Sequence, residues 1–182
     1  VCLTTDVRDA VGFLRSVASR FDLSVNPQQV EQFQDVVDQE SSCSGVFFDA
    51  KNALKVLKGR GYKLSLVSNL WSFPVDCLFA EDNLGKYFPE ELRVYSFVEG
   101  VSKPDPEIYR RAYARCRTNP GDCLMIGDHL ENDILPALAV GMKACLVDRN
   151  RKYDPAVIPD GVLVVKSMED LIDLLPEAPA AY

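Results

Sequence analysis

The sequence predicts an α/β protein, in which helices cover both faces of a mainly parallel sheet to give a three-layer sandwich. Short apolar runs alternate along the chain with segments whose apolar residues recur at helical spacing. Parallel strands joined by helices bury such runs on both faces of one sheet. A helical pair at 11–40 interrupts the alternation and predicts a small inserted cap.

The composition is that of an ordinary globular domain. The chain has 182 residues, 47% of them hydrophobic and 26% charged, which suits one domain with at most a small appendage. The net charge of −7 argues against nucleic acid or an anionic membrane surface as the main partner. The sequence contains no signal-peptide pattern and no apolar run of membrane-spanning length, so we expect no membrane partner.

Six cysteines are present without any CxxC spacing. Two of them, Cys123 and Cys145, fall inside apolar runs, where a reduced thiol behaves as a small hydrophobe. This pattern favours neither structural zinc nor a disulfide framework, and it predicts a cytoplasmic location.

The first segment predicts a strand followed by the helical pair. Val1–Thr5 is β-prone and ends on Asp6. Helical spacing runs from 11 to about 21, and a second helix begins at Pro27 behind the N-cap Asn26. The predicted domains are a core at 1–10 and 46–182 and a cap at 11–45.

The rest of the chain predicts alternating strands and helices. Strands are predicted at 63–67, 93–97, 123–126, 144–147 and 162–165. Helices are predicted from Asp49 to Gly61, 73 to 83, Asp105 to Cys116, Asn132 to Gly141 and Met168 to Leu175, with Asp49 and Asn132 as caps.

Polar residues follow four of these strands. They are Asp6, the pair Ser68 and Asn69, Lys103 and Asp128. Each alone is an ordinary cap or turn residue, but open α/β sheets bind ligands beyond the carboxyl ends of their strands. Asp128 and Asp133 bracket a helix start after Gly127, which we expect to let the backbone bend. Because buried carboxylates are costly unless paired or bound to metal, these two predict a metal site.

Three motifs resemble those of the haloacid dehalogenase superfamily. They are Val-Ser-Asn at 67–69, Ser-Lys-Pro-Asp-Pro-Glu-Ile-Tyr at 102–109 and Met-Ile-Gly-Asp-x4-Asp-Ile at 125–134. The resemblance runs from about 49 to 148. It implies a Rossmann-like core, an aspartate nucleophile and Mg²⁺.

The resemblance also implies a role for each site residue. Asp6 is the expected nucleophile, which forms an aspartyl-phosphate and contributes to the metal site. Asp128 is the expected direct Mg²⁺ ligand, and Asp133 is expected to ligate directly, to ligate through water, or to orient Lys103. Ser68, Asn69 and Lys103 are expected to bind the phosphate, and Lys103 also pairs with the nucleophile.

The first motif departs from the family pattern Asp-x-Asp-Gly-Thr, because Arg8 stands where the second aspartate is expected. An arginine, with a pKa above about 12, cannot act as general acid and base at neutral pH. It could instead bind phosphate, and Asp9 could reach the leaving group from one position away.

Three functions are therefore open. The first is a Mg²⁺-dependent phosphatase acting on a small phosphorylated metabolite. The second is a carbon–halogen hydrolase of the dehalogenase type, and the third is a degenerate protein that binds phosphate without turnover. We also expect His129 to be a solvent-facing loop residue, and the arginines at 110, 111, 115 and 117 to form a solvated helix face. The sequence does not determine the oligomeric state.

Overall fold

The structure, a computed structural model, describes residues 9–43, 45–70, 79 and 84–177. The predictions for the first strand, for Asp6 and for Arg8 lie outside these residues. So does the predicted helix at 73–83, apart from Phe79.

Strands and helices alternate as the sequence predicts. The strands are β1 (Leu66–Ser68), β2 (Arg93–Tyr95), β3 (Leu124–Gly127), β4 (Lys143–Val147) and β5 (Leu163–Val165). The α-helices are α1 (Ala10–Arg20), α2 (Pro27–Cys43), α3 (Phe48–Gly59), α4 (Ser96–Glu99), α5 (Pro106–Cys116), α6 (Leu135–Ala139) and α7 (Met168–Leu174). Among the described residues, none of the helices is both long and apolar enough to cross a membrane.

Every strand pair that the structure describes is parallel. β1 pairs with β2, from Leu66 opposite Arg93 to Ser68 opposite Tyr95. β4 lies between β3 and β5 and pairs with both. The described strands thus form two sheets, one of two strands and one of three. Within each sheet the parallel strands put their carboxyl ends at the same edge. The loops that follow β2 and β3 meet where Lys103 contacts Asp133. The predicted α/β fold is confirmed.

The core lies between the strands and the helices that connect them. On one side, Ile108 and Tyr109 of α5 are fully buried in a cluster with Val94 of β2. On the other, Leu171 of α7 is fully buried against Cys145 of β4. These helices cover the sheet because each places one apolar face against the strands.

The helical pair α1 and α2 packs mainly against itself. The rings of Phe13 and Phe33 stack with their centroids 6.1 Å apart. Asn26 caps α2 as predicted, in a reciprocal arrangement: Gln29 N donates to Asn26 Oδ1 at 2.9 Å, and Asn26 N donates to Gln29 Oε1 at 3.0 Å. Asp9 caps α1, its Oδ1 accepting from Gly12 N at 2.6 Å. The division into a core and a cap at 11–45 stays a prediction.

Two predicted helix caps are wrong. Asp49 lies in the first turn of α3 behind the N-cap Phe47, and its carboxylate instead holds Arg149 and the backbone N of Met168. Asn132 lies inside a π-helical turn, Leu130–Ile134, that precedes α6 and has His129 as its N-cap.

The predicted strand at 93–97 ends early, at Tyr95. The reason is Ser96, which is fully buried and begins the helical turn α4. Its hydroxyl accepts from Leu70 N at 3.2 Å and donates to Leu70 O at 3.3 Å. Ser96 therefore fixes the chain just beyond β1 instead of continuing the strand.

Candidate active site

The site begins where Asn69 follows β1. Lys103 N donates to Asn69 Oδ1 at 2.8 Å, and Asn69 Nδ2 donates to Lys103 O at 2.9 Å. This reciprocal pair fixes the backbone of Lys103 beside the end of β1. Because an amide nitrogen carries two hydrogens, Asn69 keeps one donor that no described residue uses.

Lys103 forms the central ion pair of the site. Its Nζ lies 2.6 Å from Asp133 Oδ1, and the two side chains are only 16% and 5% exposed. The pair joins residues thirty positions apart, bringing the loop behind β2 to the helical turn after β3. A buried carboxylate and a buried ammonium are tolerated because they neutralise each other. Of the roles expected for Asp133, this geometry matches the orientation of Lys103.

The second oxygen of Asp133 is also engaged. His129 N donates to Asp133 Oδ2 at 3.1 Å, and Asp133 N donates to His129 O at 2.8 Å. Asp133 therefore holds the loop at the end of β3 as well as Lys103. Both of its oxygens already accept hydrogen bonds, which leaves less capacity for a direct metal bond.

Gly127 is needed for a different reason than the predicted bend. A Cβ atom at this position would lie 2.5 Å from both Cγ and Oδ2 of Asp133, far inside van der Waals contact. The glycine thus lets the Asp133 side chain lie directly against the end of β3. Its backbone does not adopt a positive φ.

Asp128 contrasts with Asp133. It is exposed at the end of β3, and its carboxylate makes no hydrogen bond or ion pair with the residues that the structure describes. Its carbonyl oxygen accepts from the Tyr153 hydroxyl at 3.4 Å. A free carboxylate at this sheet edge is a suitable ligand for a hard cation such as Mg²⁺.

A complete metal site is not formed by the described residues alone. Within them, no three aspartate, glutamate, histidine or cysteine side chains are grouped closely enough to hold an ion. The predicted set of Asp6, Asp128 and Asp133 includes a residue outside the described part of the chain, so it stays a prediction. Asp128 and Asp133 fit the metal in chemistry, as oxygen donors, with Asp128 the freer of the two.

The side chains of Ser68 and His129 make no contact with the described residues that would distinguish among their possible roles. Ser68 ends β1 half-buried, and its hydroxyl forms no hydrogen bond among the described residues, which leaves it free for the predicted phosphate contact. The His129 side chain is 45% exposed. Its Nδ1 lies 3.1 Å from Glu131 Oε2 without the geometry of a hydrogen bond.

Two tyrosines near the site were missed by the sequence reasoning. Tyr109 is fully buried, and its hydroxyl donates to the carbonyl of Asn132, next to Asp133. Burial, reinforced by the Asp133 carboxylate, raises the pKa of Tyr109, so the phenol stays protonated and remains a donor. Tyr153 contacts the loop at the end of β3. In the sequence, Tyr109 is the last residue of the motif at 102–109, whereas Tyr153 belongs to none of the three motifs.

Two arginines of the predicted solvated face stay partly exposed but also form ion pairs with a buried carboxylate. Arg111 Nη1 lies 2.9 Å from Glu99 Oε2, and Arg115 Nη2 lies 2.5 Å from Glu99 Oε1. The Glu99 side chain is only 7% exposed. The two arginines therefore attach α5 to α4, the turn that leads into the Lys103 loop.

A sequence profile described as haloacid dehalogenase-like hydrolase matches residues 8–141, nearly three quarters of the chain. The chain belongs to the haloacid dehalogenase-like hydrolase family. The resemblance carried by the three motifs is thereby confirmed at the level of the family.

Several of the relatives that this chain resembles are phosphatases. The chain is 28% identical over 137 residues to a phosphoserine phosphatase of Thermus thermophilus, covering 74% of this chain and 53% of that protein. It is 28% identical over 183 aligned positions to a phosphoglycolate phosphatase of Vibrio vulnificus, covering 93% and 79%. The chain spans about half the length of the first curated relatives it matches.

A solved structure supports the fold. The crystal structure of a phosphatase of this family from Thermococcus onnurineus matches with a TM-score of 0.70 at 23% identity, covering 93% of this chain and 74% of that one. At this identity the likeness establishes the Rossmann-like fold alone.

Proposed function

We propose that this chain is a Mg²⁺-dependent phosphatase that hydrolyses a small phosphorylated metabolite through an aspartyl-phosphate on Asp6. The observation that carries the proposal is the buried Lys103–Asp133 pair. Asp133 holds the ammonium group of Lys103 beside the ends of β1 and β3. A positive charge in this place can neutralise the charge of a phosphate group during its transfer. The phosphatases among the relatives support the same reaction class.

Asp6 performs the chemical step in this proposal. Its carboxylate oxygen forms a bond to phosphorus while the bond between phosphorus and the substrate's alcohol oxygen breaks. The alcohol oxygen takes a proton from water, because the Arg8 guanidinium does not release a proton at neutral pH. A second water then cleaves the aspartyl-phosphate, which releases inorganic phosphate and restores the carboxylate.

Lys103, Ser68 and Asn69 bind the phosphate in this proposal. An ammonium group has three donors, of which Asp133 takes one. We assign the others to the Asp6 carboxylate and a phosphate oxygen. The Ser68 hydroxyl and the remaining Asn69 amide hydrogen add neutral donors beside them.

Asp128 and Asp6 are assigned as direct Mg²⁺ ligands, and Asp133 as a ligand through water. Asp128 is free among the described residues, whereas both oxygens of Asp133 are engaged. When bound, the ion neutralises phosphate charge that an acidic chain would otherwise repel.

Hydrolysis of p-nitrophenyl phosphate tests the proposal. We expect activity that requires Mg²⁺ and falls to background in Asp6→Asn. Asp9→Asn is a matched control, because asparagine caps a helix as well as aspartate does and Asp9 already serves as the α1 cap. Activity that persists in Asp6→Asn would refute the mechanism. Loss of activity in Asp9→Asn would instead assign the acid and base role to Asp9.

A second candidate, a phosphate-binding protein without turnover, is favoured by Arg8 at the acid/base position. The variant Arg8→Asp separates the two candidates. A rise in phosphatase rate indicates a competent site that lacks only the acid. Calorimetric binding of phosphate without turnover in either form supports the second candidate.

We also propose a cytoplasmic location. Cys116, Cys123 and Cys145 are free thiols. Burial raises the pKa of both Cys123 and Cys145 to about 11, so these thiols stay protonated and inert. Their packing in the apolar interior is compatible with a reducing compartment.

A further inference from the structure

Asp128 is positioned through its backbone. Its carboxylate makes no polar contact with the described residues, so within them only the backbone sets its direction. Ligand affinity then depends on how firmly the backbone of Asp128–Leu130 is held. On one side of this loop, Asp133 Oδ2 accepts from His129 N at 3.1 Å.

Tyr153 holds the other side of the loop. Its hydroxyl accepts from Leu130 N at 3.1 Å and donates to Asp128 O at 3.4 Å. Lys152 Nζ, 3.3 Å away, supplies a further donor. A phenol oxygen has one hydrogen and two lone pairs, so these three contacts use its full capacity. The hydroxyl thus connects the residues before and after His129.

The position of Tyr153 is itself built into the core. Asp148, only 9% exposed, follows β4, and its N donates to Val165 O of β5 at 2.8 Å. Its carboxylate accepts from Lys152 N at 2.7 Å and from Tyr153 N at 3.2 Å. The Tyr153 ring packs against the buried cluster that contains Leu130 and Leu146. The end of β4 is therefore connected through Tyr153 to the end of β3.

We propose that Tyr153 is a positioning residue for the carboxylate of Asp128, so that the Asp148–Tyr153 connection sets the affinity of this chain for a divalent cation. The inference rests on the proposed function, in which Asp128 is a direct Mg²⁺ ligand. Removing the hydroxyl frees both the Asp128 carbonyl and the Leu130 amide. The carboxylate then spends less time in the direction that binds the ion.

Calorimetric titration with Mg²⁺ alone tests the inference on Tyr153→Phe. Loss of such an outer partner typically weakens metal binding about tenfold or more, so we expect Kd to rise about tenfold. In turnover, the Mg²⁺ concentration for half-maximal rate should rise equally, while the rate at saturating Mg²⁺ stays within about twofold of wild type. A general structural defect would lower the saturated rate as well.

Tyr62→Phe is the matched control. The Tyr62 hydroxyl also donates to a backbone carbonyl, that of Pro176 at 3.0 Å, after the far end of α3. We expect its Mg²⁺ affinity to equal that of wild type. Thermal unfolding of both variants shows whether each is folded. Should Tyr153→Phe unfold, Asp148→Asn, which keeps one acceptor oxygen, should weaken Mg²⁺ binding in the same direction.

The outcomes separate this inference from the function beneath it. Equal Kd values for wild type and Tyr153→Phe, with binding abolished in Asp128→Asn, overturn the role of Tyr153 and leave the Mg²⁺ site intact. A wild-type chain that binds no Mg²⁺ overturns both.

Discussion

Asp128 and Asp133 leave the same strand five positions apart, yet their surroundings are opposite. The Asp133 side chain is 5% exposed, and its two oxygens accept hydrogen bonds from Lys103 Nζ and His129 N. Asp128 is exposed, with a carboxylate free of polar contacts to the described residues. The difference shows that two acidic residues of one motif can have different roles. One carboxylate organises the site, and the other is available to a ligand.

The largest expected effect comes from exchanging each carboxylate for its amide. Asp133→Asn keeps the side-chain shape but leaves Lys103 buried without its counter-charge, and breaking a buried pair in this way costs about 3 kcal/mol or more. Asp128→Asn changes an exposed group, so its effect on the free energy of unfolding should stay within about 0.5 kcal/mol. Urea unfolding measures both.

The loss of phosphatase activity in these two variants should not follow the order of their stability losses. Under the proposed function, Asp128→Asn loses Mg²⁺-dependent turnover while remaining as stable as wild type. Equal stability losses in the two variants would contradict the division of roles between Asp128 and Asp133.

A smaller effect is expected from Gly127→Ala. The added Cβ would lie 2.5 Å from Asp133 Cγ and Oδ2, so either the side chain or the strand end must shift. Overpacking of this kind costs about 1–3 kcal/mol. In an Asp133→Gly background the obstruction is gone, and the same alanine should be nearly neutral. A double-mutant cycle in urea therefore measures the contact, and additive effects would show that Gly127 serves another purpose.

The sequence could predict the central pair because motif and topology agree. Lys103 and Asp133 both follow strands of a parallel sheet, so the fold brings their carboxyl-end loops together despite thirty intervening residues. The choice among the roles of Asp133 required geometry. Nothing in the pattern around Gly127 distinguishes a bend from close packing.

Other features carried no local signal. Tyr153 lies in a loop of no particular periodicity, and the two site residues that its hydroxyl contacts, Asp128 and Leu130, are more than twenty residues away. The arginines of α5 have the spacing of a solvated face, and their buried partner Glu99 belongs to another element. Contacts between side chains of different helices or loops produce no periodic pattern in the sequence, so they cannot be predicted from periodicity.

Glu99 adds a second buried carboxylate to the comparison, and this one holds α4, the helical turn that precedes the Lys103 loop. Glu99→Gln removes the charge that receives Arg111 and Arg115, which are 35% and 34% exposed and so keep part of their hydration. We expect a loss of about 1–2 kcal/mol, together with a lower rate because the Lys103 loop is less firmly held. Glu107→Gln is the control, since Glu107 is 42% exposed and its pairs contribute little. Equal effects of the two changes would contradict the supporting role of Glu99.

The smallest expected effect concerns Asp49, a carboxylate that is paired like Asp133 but lies farther toward solvent. The hydrogen bond from Arg149, with help from Met168 N and Ala50 N, lowers the pKa of Asp49 below its usual value of 3.8. Because the pKa is lower in the folded chain, this stabilisation is present above about pH 4 and is lost as the pH falls through the folded value. Arg149→Met should therefore reduce stability at neutral pH by less than about 1 kcal/mol, and the difference from wild type should shrink as the pH falls through the pKa of Asp49 in the folded chain. Thermal unfolding from pH 7 to pH 2 measures the difference. A gap between wild type and variant that is constant over this range would assign the contribution of Arg149 to its stacking on the Phe47 ring, 4.6 Å from the guanidinium, instead of to charge.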